Sequence, residues 1–346
     1  MGHGVTMRTV AERAEVSTKT VSNVINGTGS YSPETEQRVR AAIDELGYRI
    51  NPFARGLRSR RTDTIALVLP NLCQPFYAEL AEQIMRAPQT QGLKVVLHST
   101  HGDARREQAV LSAHPELVDG VIYVPHALGP EDYLSLPVTR PTVVLGERPA
   151  DATALSLDYV ETADEQGARA VVGHLLSRGR RRIAAIGGQT GPRAGARRLR
   201  GYRAALAEAG VDYDDSLVIS VDDADQWSSG VGAATRLLRQ RARFDALFCF
   251  NDVVAVGALS VLTRSGVKVP SDVALAGFDD IEAARFASPP LTTVDLRRES
   301  IARTAVTLLR SRMGMEDFRN LPGRSESIGY DLRPRASSGA PPSGPG

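Results

Sequence analysis

The most constraining feature of this sequence is a repeated alternation between short apolar runs and longer stretches with helical periodicity. Four apolar runs, at 64–70, 93–99, 118–125 and 142–146, alternate with amphipathic stretches such as 76–91 and 104–113. Strands that alternate with helices form parallel sheets, and helices cover both faces of such a sheet. This part of the chain therefore predicts one doubly wound α/β lobe.

The alternation begins again after Asp158. Helical stretches at 163–176, 196–209, 227–240 and 252–265 alternate with apolar runs at 182–187, 218–221, 245–250 and 273–278. Two further strands are expected at 291–296 and 326–333. We therefore predict an α/β fold with two doubly wound lobes in a core that spans 62–335.

Proline and glycine place two further expectations on the core. Pro88 lies inside the helical stretch 76–91, where a proline removes a backbone hydrogen bond at a cost of about 3 kcal/mol. We therefore expect a kinked helix and a distorted first lobe. Residues 336–346 are rich in proline, glycine and serine and have no apolar repeat, which predicts a disordered tail.

The first 50 residues have a different pattern, that of three short helices. Thr6 and Ser17 are candidate N-caps of two helices that a brief turn at Glu15 separates. Ser32, which precedes a proline, begins the third helix. Apolar residues three and four positions apart predict a small shared core. The arrangement indicates a helix-turn-helix, although a two-helix corner with a polar face is common in any helical domain.

The second helix has the polar face of a DNA reader. A helix-turn-helix presents its base-reading side chains in the first turns of its second helix. Lys19 could donate to guanine, Asn23 could pair with adenine, and Thr18 could contact a thymine methyl group. Phosphate contacts fix the register of such a helix on the duplex. We assign them to Thr6, Ser17, Thr20, Ser22, Asn26, Ser32 and Tyr48.

The positive charge of the chain is concentrated in this head. Residues 1–61 hold 10 Lys and Arg against 6 Asp and Glu, a net +4, whereas the whole chain carries only +2. The remaining residues therefore carry a net −2. A basic head on a nearly neutral core is the charge pattern of a protein that binds nucleic acid.

Several motifs together resemble one family. The segment V-T-M-R-T-V-A-E-R-A-E-V-S-T-K-T-V-S-N-V-I-N, followed by S-P-E-T, L-G-Y and N-P-F-A-R-G-L, is similar to the LacI/GalR family of bacterial transcription regulators. The resemblance implies a homodimer whose second helices occupy successive major grooves of a pseudo-palindromic DNA operator. It also implies hinge helices at about 51–58 that fold in the central minor groove, where Leu57 would wedge between base pairs. The hinge contacts that it implies are Asn51, Ala54 and Leu57.

Two residues depart from the family pattern. Glu15 stands where the family usually has glycine in the turn, so a left-handed backbone there would cost about 1–2 kcal/mol. Asn23 stands where arginine is frequent, so the operator sequence of relatives does not carry over.

The resemblance gives the core the fold of type I periplasmic binding proteins, with an effector cleft between the lobes. The strand pattern indicates the same place, because ligands bind outside the carboxyl ends of parallel strands. The candidates near those ends are Gln74, Phe76, Tyr77, Glu147, Arg198, Trp227, Asn251 and Asp279. Segments similar to the family's effector-binding stretches favour Arg198, Trp227, Asn251 and Asp279.

Most of these candidates have a structural alternative. Trp227 is the only tryptophan of the chain and could fill the core. Asn251 and Asp252 could serve only to cap the helix that follows them. Asp279 and Asp280 could likewise cap a short helix.

Three other candidates are open to the same question. Arg198 lies in a basic cluster that could be a solvated face. Phe76 and Tyr77 belong to residue types that pack more often than they contact ligands. The shared position of all the candidates at strand ends favours a common site over any single assignment.

The composition and motifs argue against several other classes of protein. No apolar run approaches the roughly 20 residues that span a bilayer, and no signal peptide is recognisable, so we expect a cytoplasmic protein without membrane contact. Cys73 and Cys249 form no C-x-x-C pair, and the 6 histidines lack metal-ligand spacing. We therefore predict no metal site and no cofactor. No nucleophile elbow or P-loop indicates an enzyme.

We therefore predict a transcription regulator controlled by a small molecule. Its parts are a DNA-binding head at 1–50, a hinge at 51–61, and an effector-binding and dimer-forming core at 62–335. The first lobe is expected at 62–158 and 292–322, and the second at 159–291 and 323–335. The favoured function is repression controlled by a sugar. The alternatives are a purine effector, activation of transcription, and a solute-binding protein of the periplasmic type.

Overall fold

The computed structural model describes residues 5–48, 62–112, 117–129, 132, 135, 137–149, 156–188, 194–221, 226–240 and 242–339. The chain forms two compact units, Met1–Thr62 and Asp63–Gly346. The three expected hinge contacts, Asn51, Ala54 and Leu57, lie outside the described residues.

Within residues 5–48, the head contains three helices, α1 (Met7–Arg13), α2 (Thr18–Asn26) and α3 (Pro33–Leu46). A hydroxyl caps each helix: Thr6, Ser17 and Ser32 accept from the backbone N–H three residues further on, at 3.3, 3.0 and 3.2 Å. Each cap occupies a backbone donor that has no partner within the helix. The three expected helices and their caps are confirmed.

The turn between α1 and α2 has a strained backbone. Glu15 adopts a φ of 54°, the left-handed conformation for which the family's glycine is suited. A residue with a Cβ atom adopts it at a cost of about 1–2 kcal/mol. The core of the head, in which Val10, Val21 and Val39 are each 0% exposed, holds the turn in place.

The first lobe is built on a parallel sheet of six strands. These are β1 (Thr64–Leu69), β2 (Lys94–Ser99), β3 (Gly120–Tyr123), β4 (Thr142–Leu145), β5 (Asp158–Thr162) and β11 (Ser325–Ile328). Their order in the sheet is β11-β5-β4-β3-β1-β2. Ile65 and Leu67 of β1 face one buried cluster, and Ala66 and Val68 face another, so both sides of the sheet are covered. The helices of this lobe are α4 (Pro75–Arg86), α5 (Ala104–Ser112) and α11 (Arg298–Arg312).

The second lobe has a parallel sheet of four strands, β6 (Ile183–Gly187), β7 (Val218–Ser220), β8 (Ala246–Cys249) and β9 (Ala274–Ala276), in the order β7-β6-β8-β9. Its helices are α6 (Asp164–Ser177), α7 (Ala194–Glu208), α8 (Gln226–Arg239), α9 (Asp252–Arg264) and α10 (Glu282–Phe286). The predicted α/β fold with two doubly wound lobes is confirmed. Across the described ranges, every helix is too short or too polar to cross a membrane.

The connections between the lobes differ from the expected ones. Both β5 and β11 belong to the first-lobe sheet, so the boundaries expected after 158 and before 323 are wrong. The strand expected at 326–333 is two strands, β11 and β12 (Asp331–Arg333). β12 pairs antiparallel with β10 (Thr293–Asp295) in a separate sheet of two strands. The strand β5, D-Y-V-E-T, has polar residues at both ends and therefore lacks the pattern of an apolar run. Its first three residues are nevertheless buried.

Pro88 does not kink a helix, contrary to our expectation. Helix α4 ends at Arg86, Ala87 has a ψ of 131°, and Pro88 begins a separate 3-10 turn, Pro88–Thr90. The missing N–H of the proline therefore removes no hydrogen bond from α4. Thr90 closes the turn by donating its hydroxyl to the carbonyl of Ile84 at 2.5 Å.

The expectation of a disordered tail is wrong for residues 336–339. Ala336–Ser338 form a 3-10 turn in which Ser337 and Ser338 are buried. The hydroxyl of Ser337 donates to the carbonyl of Leu275 at 2.6 Å and accepts from the N–H of Thr292 at 2.8 Å. These hydrogen bonds tie the turn to the second lobe beside β9. Residues 340–346 lie outside the described part of the chain.

Candidate functional site

The helix α2 presents part of its predicted base-reading face to solvent. Thr18 and Lys19 are exposed at its start, while Val21 and Val24 are buried in the head. Asn23 is half-buried and packs closely against Gly29. A Cβ atom at position 29 would lie only 2.7 Å from the Nδ2 atom of Asn23. The loop after α2 therefore restricts the orientation of Asn23, whereas Thr18 and Lys19 project from the first turn.

The residues assigned to phosphate lie mainly at helix N-termini. Thr6, Ser17 and Ser32 are the three capping residues, and the hydroxyl of Thr20 lies 2.9 Å from that of Ser17. Backbone N–H groups and the helix dipole make such termini favourable places for anions. Two other assigned residues, Ser22 and Tyr48, are half-buried, and Asn26 is the last residue of α2. Their phosphate contacts stay predictions.

A cavity of about 460 Å³ lies between the two lobes of the core. Residues from the ends of β1, β4, β6, β8 and β9 contribute to its lining, as the topology of two parallel sheets predicts. Seven of the eight candidate effector residues line this cavity: Gln74, Phe76, Tyr77, Glu147, Arg198, Asn251 and Asp279. Phe76 and Tyr77 form an edge-on aromatic pair with ring centres 5.4 Å apart.

Trp227 is the candidate that the structure places elsewhere. Its side chain is 43% exposed and lies outside the set of residues that line the cavity. The alternative assignment, a tryptophan that fills the core, is wrong, because the side chain is exposed. Trp227 lies near the start of α8, where its carbonyl is close enough to Gly257 of α9 to exclude a Cβ atom there.

Arg198 is the centre of a buried ion-pair network in the cavity wall. Its guanidinium donates to Asp164 at 2.9 Å, to Asp279 at 3.0 Å and to the carbonyl of Phe250. Its Cζ atom lies 3.9 Å from the centre of the Phe278 ring. The alternative of a solvated basic face is therefore wrong, since Arg198 is only 7% exposed.

Asp164 and Arg197 are site residues that the sequence reasoning missed. Arg197 donates to Asp164 at 2.8 Å, and its guanidinium also lies 4.0 Å from Glu147. Asp164 is 1% exposed and begins α6 directly after β5. The signal that could have identified Asp164 was the end of β5, a strand that was not expected. Both residues line the cavity.

Burial and neighbouring charges shift the pKa values of these groups in different directions. Burial raises the pKa of Asp279 to about 6, although Arg198 and Arg298 act against that shift. Burial also opposes ionisation of Asp164, but Arg197 and Arg198 hold the pKa of its carboxyl below the ordinary value. The pKa of Arg198 is raised despite burial, because Asp279 and Asp164 stabilise its cation. The network therefore favours the charged forms of Arg198 and Asp164, and it brings the pKa of Asp279 closer to neutral pH.

The turn after β9 has an unusual backbone at the edge of the cavity. Asp279 and Asp280 adopt φ values of 107° and 50°, which residues other than glycine rarely adopt. Neither residue caps α10, whose N-cap is Ile281 without a side-chain hydrogen bond, so that alternative is wrong. The carboxylate of Asp280 accepts from Arg335 at 2.6 Å and pairs with Arg285 at 3.3 Å.

Asn251 and Asp252 have separate roles at the start of α9. Asn251 is the N-cap, and its side chain accepts from the N–H of Val254 at 2.8 Å. Asp252 does not cap α9; it accepts from the Thr293 hydroxyl at 2.7 Å and from the Ile281 N–H at 3.0 Å. Burial raises the pKa of Asp252 well above its ordinary value. Asp252 thus supports the turn that carries Asp279.

Another part of the lining is fixed by a buried glutamate on α5. Glu107 is 0% exposed and accepts from the Tyr123 hydroxyl at 2.5 Å. It also accepts from the N–H groups of Ala127 and Leu128, at 2.9 and 3.0 Å. These bonds fix the segment after β3, which places His126 and Leu128 in the cavity wall.

Comparisons with known proteins agree with this architecture. Residues 6–51 match the model of bacterial regulatory proteins of the lacI family, and residues 172–338 match that of a periplasmic binding protein-like domain. The HTH-type transcriptional regulator CelR of Thermobifida fusca is 38% identical over 315 residues, which are 89% of this chain and 92% of CelR.

Two solved structures are similar over nearly the whole chain. A CelR–cellobiose complex has a TM-score of 0.70 at 35% identity and covers 96% of this chain and 99% of its own. A lac repressor dimer, bound to operator and the anti-inducer ONPF, has a TM-score of 0.82 at 25% identity and covers 98% and 100%.

A helix-turn-helix head joined to a two-lobed core with a cavity defines a class, that of DNA-binding transcription regulators with a periplasmic-binding-protein-like core. This chain belongs to the LacI family of bacterial transcription regulators.

Proposed function

We propose that this regulator is a homodimeric repressor whose affinity for its operator is controlled by a sugar bound in the cavity between the lobes. The observation that carries the proposal is the pairing of Arg198 with Asp279 in a cavity that Phe76 and Tyr77 also line. Carboxylates accept from sugar hydroxyls, guanidinium groups donate to them, and aromatic side chains pack on the apolar faces of sugar rings. The complex of CelR with cellobiose supports this class of effector.

On the DNA side, we propose that Thr18, Lys19 and Asn23 read bases, and that the capping hydroxyls of the head contact phosphates. A dimer places two copies of α2 in successive major grooves, so the operator would be a pseudo-palindrome with half-sites about one helical turn apart. The structure of a lac repressor dimer on its operator supports this arrangement.

Control of DNA binding would act through the hinge. Residues 51–58, with Asn51, Ala54 and Leu57 toward the minor groove, are too short for a stable isolated helix, which needs about 12–15 residues. A coupling free energy of about 1–3 kcal/mol between the cavity and the hinge would change operator affinity several-fold or more. Such a marginal helix responds strongly to a small change in free energy.

The DNA assignment is tested by selecting binding sites from random duplexes with the full chain. Wild-type protein should select a pseudo-palindrome, and Lys19→Ala should lose its preference at one position of each half-site. Arg8→Ala is the matched control, because Arg8 is an exposed cation on α1 whose pair is with Glu12. A Lys19→Ala selection identical to that of wild type would rule out base contact by Lys19.

The effector is tested by thermal shift of the full chain with cellobiose, monosaccharides, guanine and hypoxanthine. A ligand at 100 times its dissociation constant stabilises the folded state by about 2.7 kcal/mol, which this assay detects. Stabilisation by a purine alone would contradict the sugar assignment and favour the purine alternative. A gel shift with the selected operator, with and without the ligand, then distinguishes release of DNA from promotion of binding. Reporter transcription distinguishes repression from activation.

A further inference from the structure

The turn that carries Asp279 is held by a side chain from the opposite lobe. Arg298 donates to the carbonyl of Asp279 and, at 2.8 Å, to the carbonyl of Asp280. Both aspartates have positive φ values, so the turn keeps its shape only while surrounding contacts hold it. Hydrogen bonds from a charged donor are among the stronger contacts available for this purpose.

Arg298 itself belongs to the first lobe. It is the first residue of α11, and α11 packs against α4, β3 and β5. Its guanidinium lies 3.1 Å from Oε2 of Glu79 on α4, and Oε1 of Glu79 accepts from the N–H of Glu282 at 3.2 Å. Two paired side chains of the first lobe, which we name the Glu79–Arg298 clasp, therefore hold backbone atoms on both sides of one second-lobe turn.

The clasp lies next to the cavity without lining it. Arg298 and Glu79 are 12% and 31% exposed, so water screens their pairing less than that of a surface pair. Arg298 lies 5.9 Å from the centre of the Phe76 ring, and both Phe76 and Asp279 line the cavity. One guanidinium thus contacts a cavity residue of each lobe while remaining outside the lining.

We propose that Glu79 and Arg298 are positioning residues that orient Asp279 toward the effector and transmit its engagement to the first lobe. This inference rests on the proposed function of the cavity. A ligand that shifts the turn through Asp279 must also shift Arg298, because the guanidinium binds two carbonyls of that turn. Helix α11 and its neighbour α4 then move with Arg298, and α4 carries Phe76 and Tyr77.

The first test requires no effector. In the full chain, Arg298→Gln should raise backbone hydrogen exchange at residues 279–284 by about tenfold or more, while exchange in α9 stays unchanged. Arg303→Gln is the matched control on the same helix, because Arg303 is 53% exposed and pairs with Glu299 only at 3.9 Å. Exchange at 279–284 that is equal in the two variants would overturn the proposal.

The second test uses cellobiose as the probe in titration calorimetry. Arg298→Gln and Glu79→Gln should each raise its dissociation constant about tenfold, and the double variant should be no worse than Arg298→Gln, because both act through one turn. Fully additive losses would overturn the proposal. If wild-type protein selects an operator but does not bind cellobiose, cellobiose is not its effector, while the exchange experiment still decides the role of the clasp.

A pH profile separates positioning from a general loss of structure. The carboxyl of Asp279 faces the cations of Arg198 and Arg298 and the carboxyls of Asp164 and Asp252. The variant Arg298→Gln removes one of these cations. It should therefore move the midpoint of the pH dependence of cellobiose binding upward. An unshifted midpoint would show that Arg298 does not act on Asp279.

Discussion

Arg198 donates to Asp279 across 3.0 Å and to Asp164 across 2.9 Å, so one guanidinium joins carboxylates that follow strands of different lobes. Asp164 follows β5 of the first lobe, and Asp279 follows β9 of the second. Asp164 is the first residue of α6, so both carboxylates belong to the second lobe, and a ligand that contacts Arg198 disturbs both of its ion pairs. The pair is therefore a suitable place at which to test the proposed binding site.

Replacing Asp279 by asparagine should weaken binding of the effector and leave the apo protein able to bind DNA. The change removes a charged acceptor, and a hydrogen bond to a charged group contributes about 1.5–3 kcal/mol, or about ten- to hundredfold in affinity. Titration calorimetry measures sugar binding, and a gel shift measures operator binding. Glu208→Gln, which alters an exposed pair with Arg169, is the control and should change neither. Unaltered sugar affinity in Asp279→Asn would place the effector elsewhere.

Effector binding should depend on pH because burial raises the pKa of Asp279 to about 6. A sugar hydroxyl that donates to this carboxyl favours its charged form, so binding of the sugar is coupled to release of a proton. Affinity should therefore be constant above about pH 7 and fall by up to about tenfold per unit well below pH 6. Calorimetry from pH 5 to 8 measures this profile, and Asp279→Asn should flatten it. A flat wild-type profile would contradict the link to Asp279.

A second buried ion pair should contribute measurably to the stability of the first lobe. Asp158 is 0% exposed and accepts from Arg312 through both carboxylate oxygens, at 2.8 and 2.7 Å, and Arg312 is itself 3% exposed. Asp158→Asn leaves the arginine buried without its full countercharge, so the free energy of unfolding should fall by about 3–5 kcal/mol. Urea denaturation measures the loss. The control, Asp331→Asn, breaks an exposed pair with Arg297 and should cost less than about 1 kcal/mol.

The strained turn of the head should be improved by glycine. Glu15 has a φ of 54°, and Glu15→Gly should stabilise the head by about 1 kcal/mol, because glycine adopts this conformation without a steric penalty. Circular dichroism of the full chain, recorded as the temperature rises, measures the thermal unfolding of the head. Glu12→Gly, within α1, should instead destabilise the head by up to about 1 kcal/mol. A lower melting temperature for Glu15→Gly would contradict the assignment of strain.

The head and the strand ends were predictable because their signals are local. Ser17 and Ser32 are capping residues that precede helical apolar spacing, and Gln74 and Phe76 lie in the segment that follows the apolar run of β1. A parallel topology then places residues after different strands at one cavity. This topology and the resemblance to the family together predicted eight candidates, and seven of them line the cavity.

The missed residues depend on information that is not local. Asp164 follows β5, a strand with polar ends that the apolar pattern did not predict. Asp164 was therefore missed together with the strand. Helix α11 was not expected, although Ile301, Ala305 and Leu308 have helical spacing and are buried. The contact of Arg298 with Glu79 joins residues that are more than 200 positions apart, so no window of sequence contains it. Trp227, whose residue type is suited to ligand stacking, is exposed and lies outside the lining of the cavity, and the sequence alone did not indicate this position.

The buried turn Ala336–Ser338 has a practical consequence for handling the protein. The composition of the last residues suggests shortening the chain at Arg335. A chain shortened in this way would lose the hydroxyl groups that bind Leu275 and Thr292. It would also place a new terminal carboxylate next to the arginine that binds Asp280. Affinity tags and fusion partners should therefore be attached beyond Gly339, so that purified material retains the intact effector lobe.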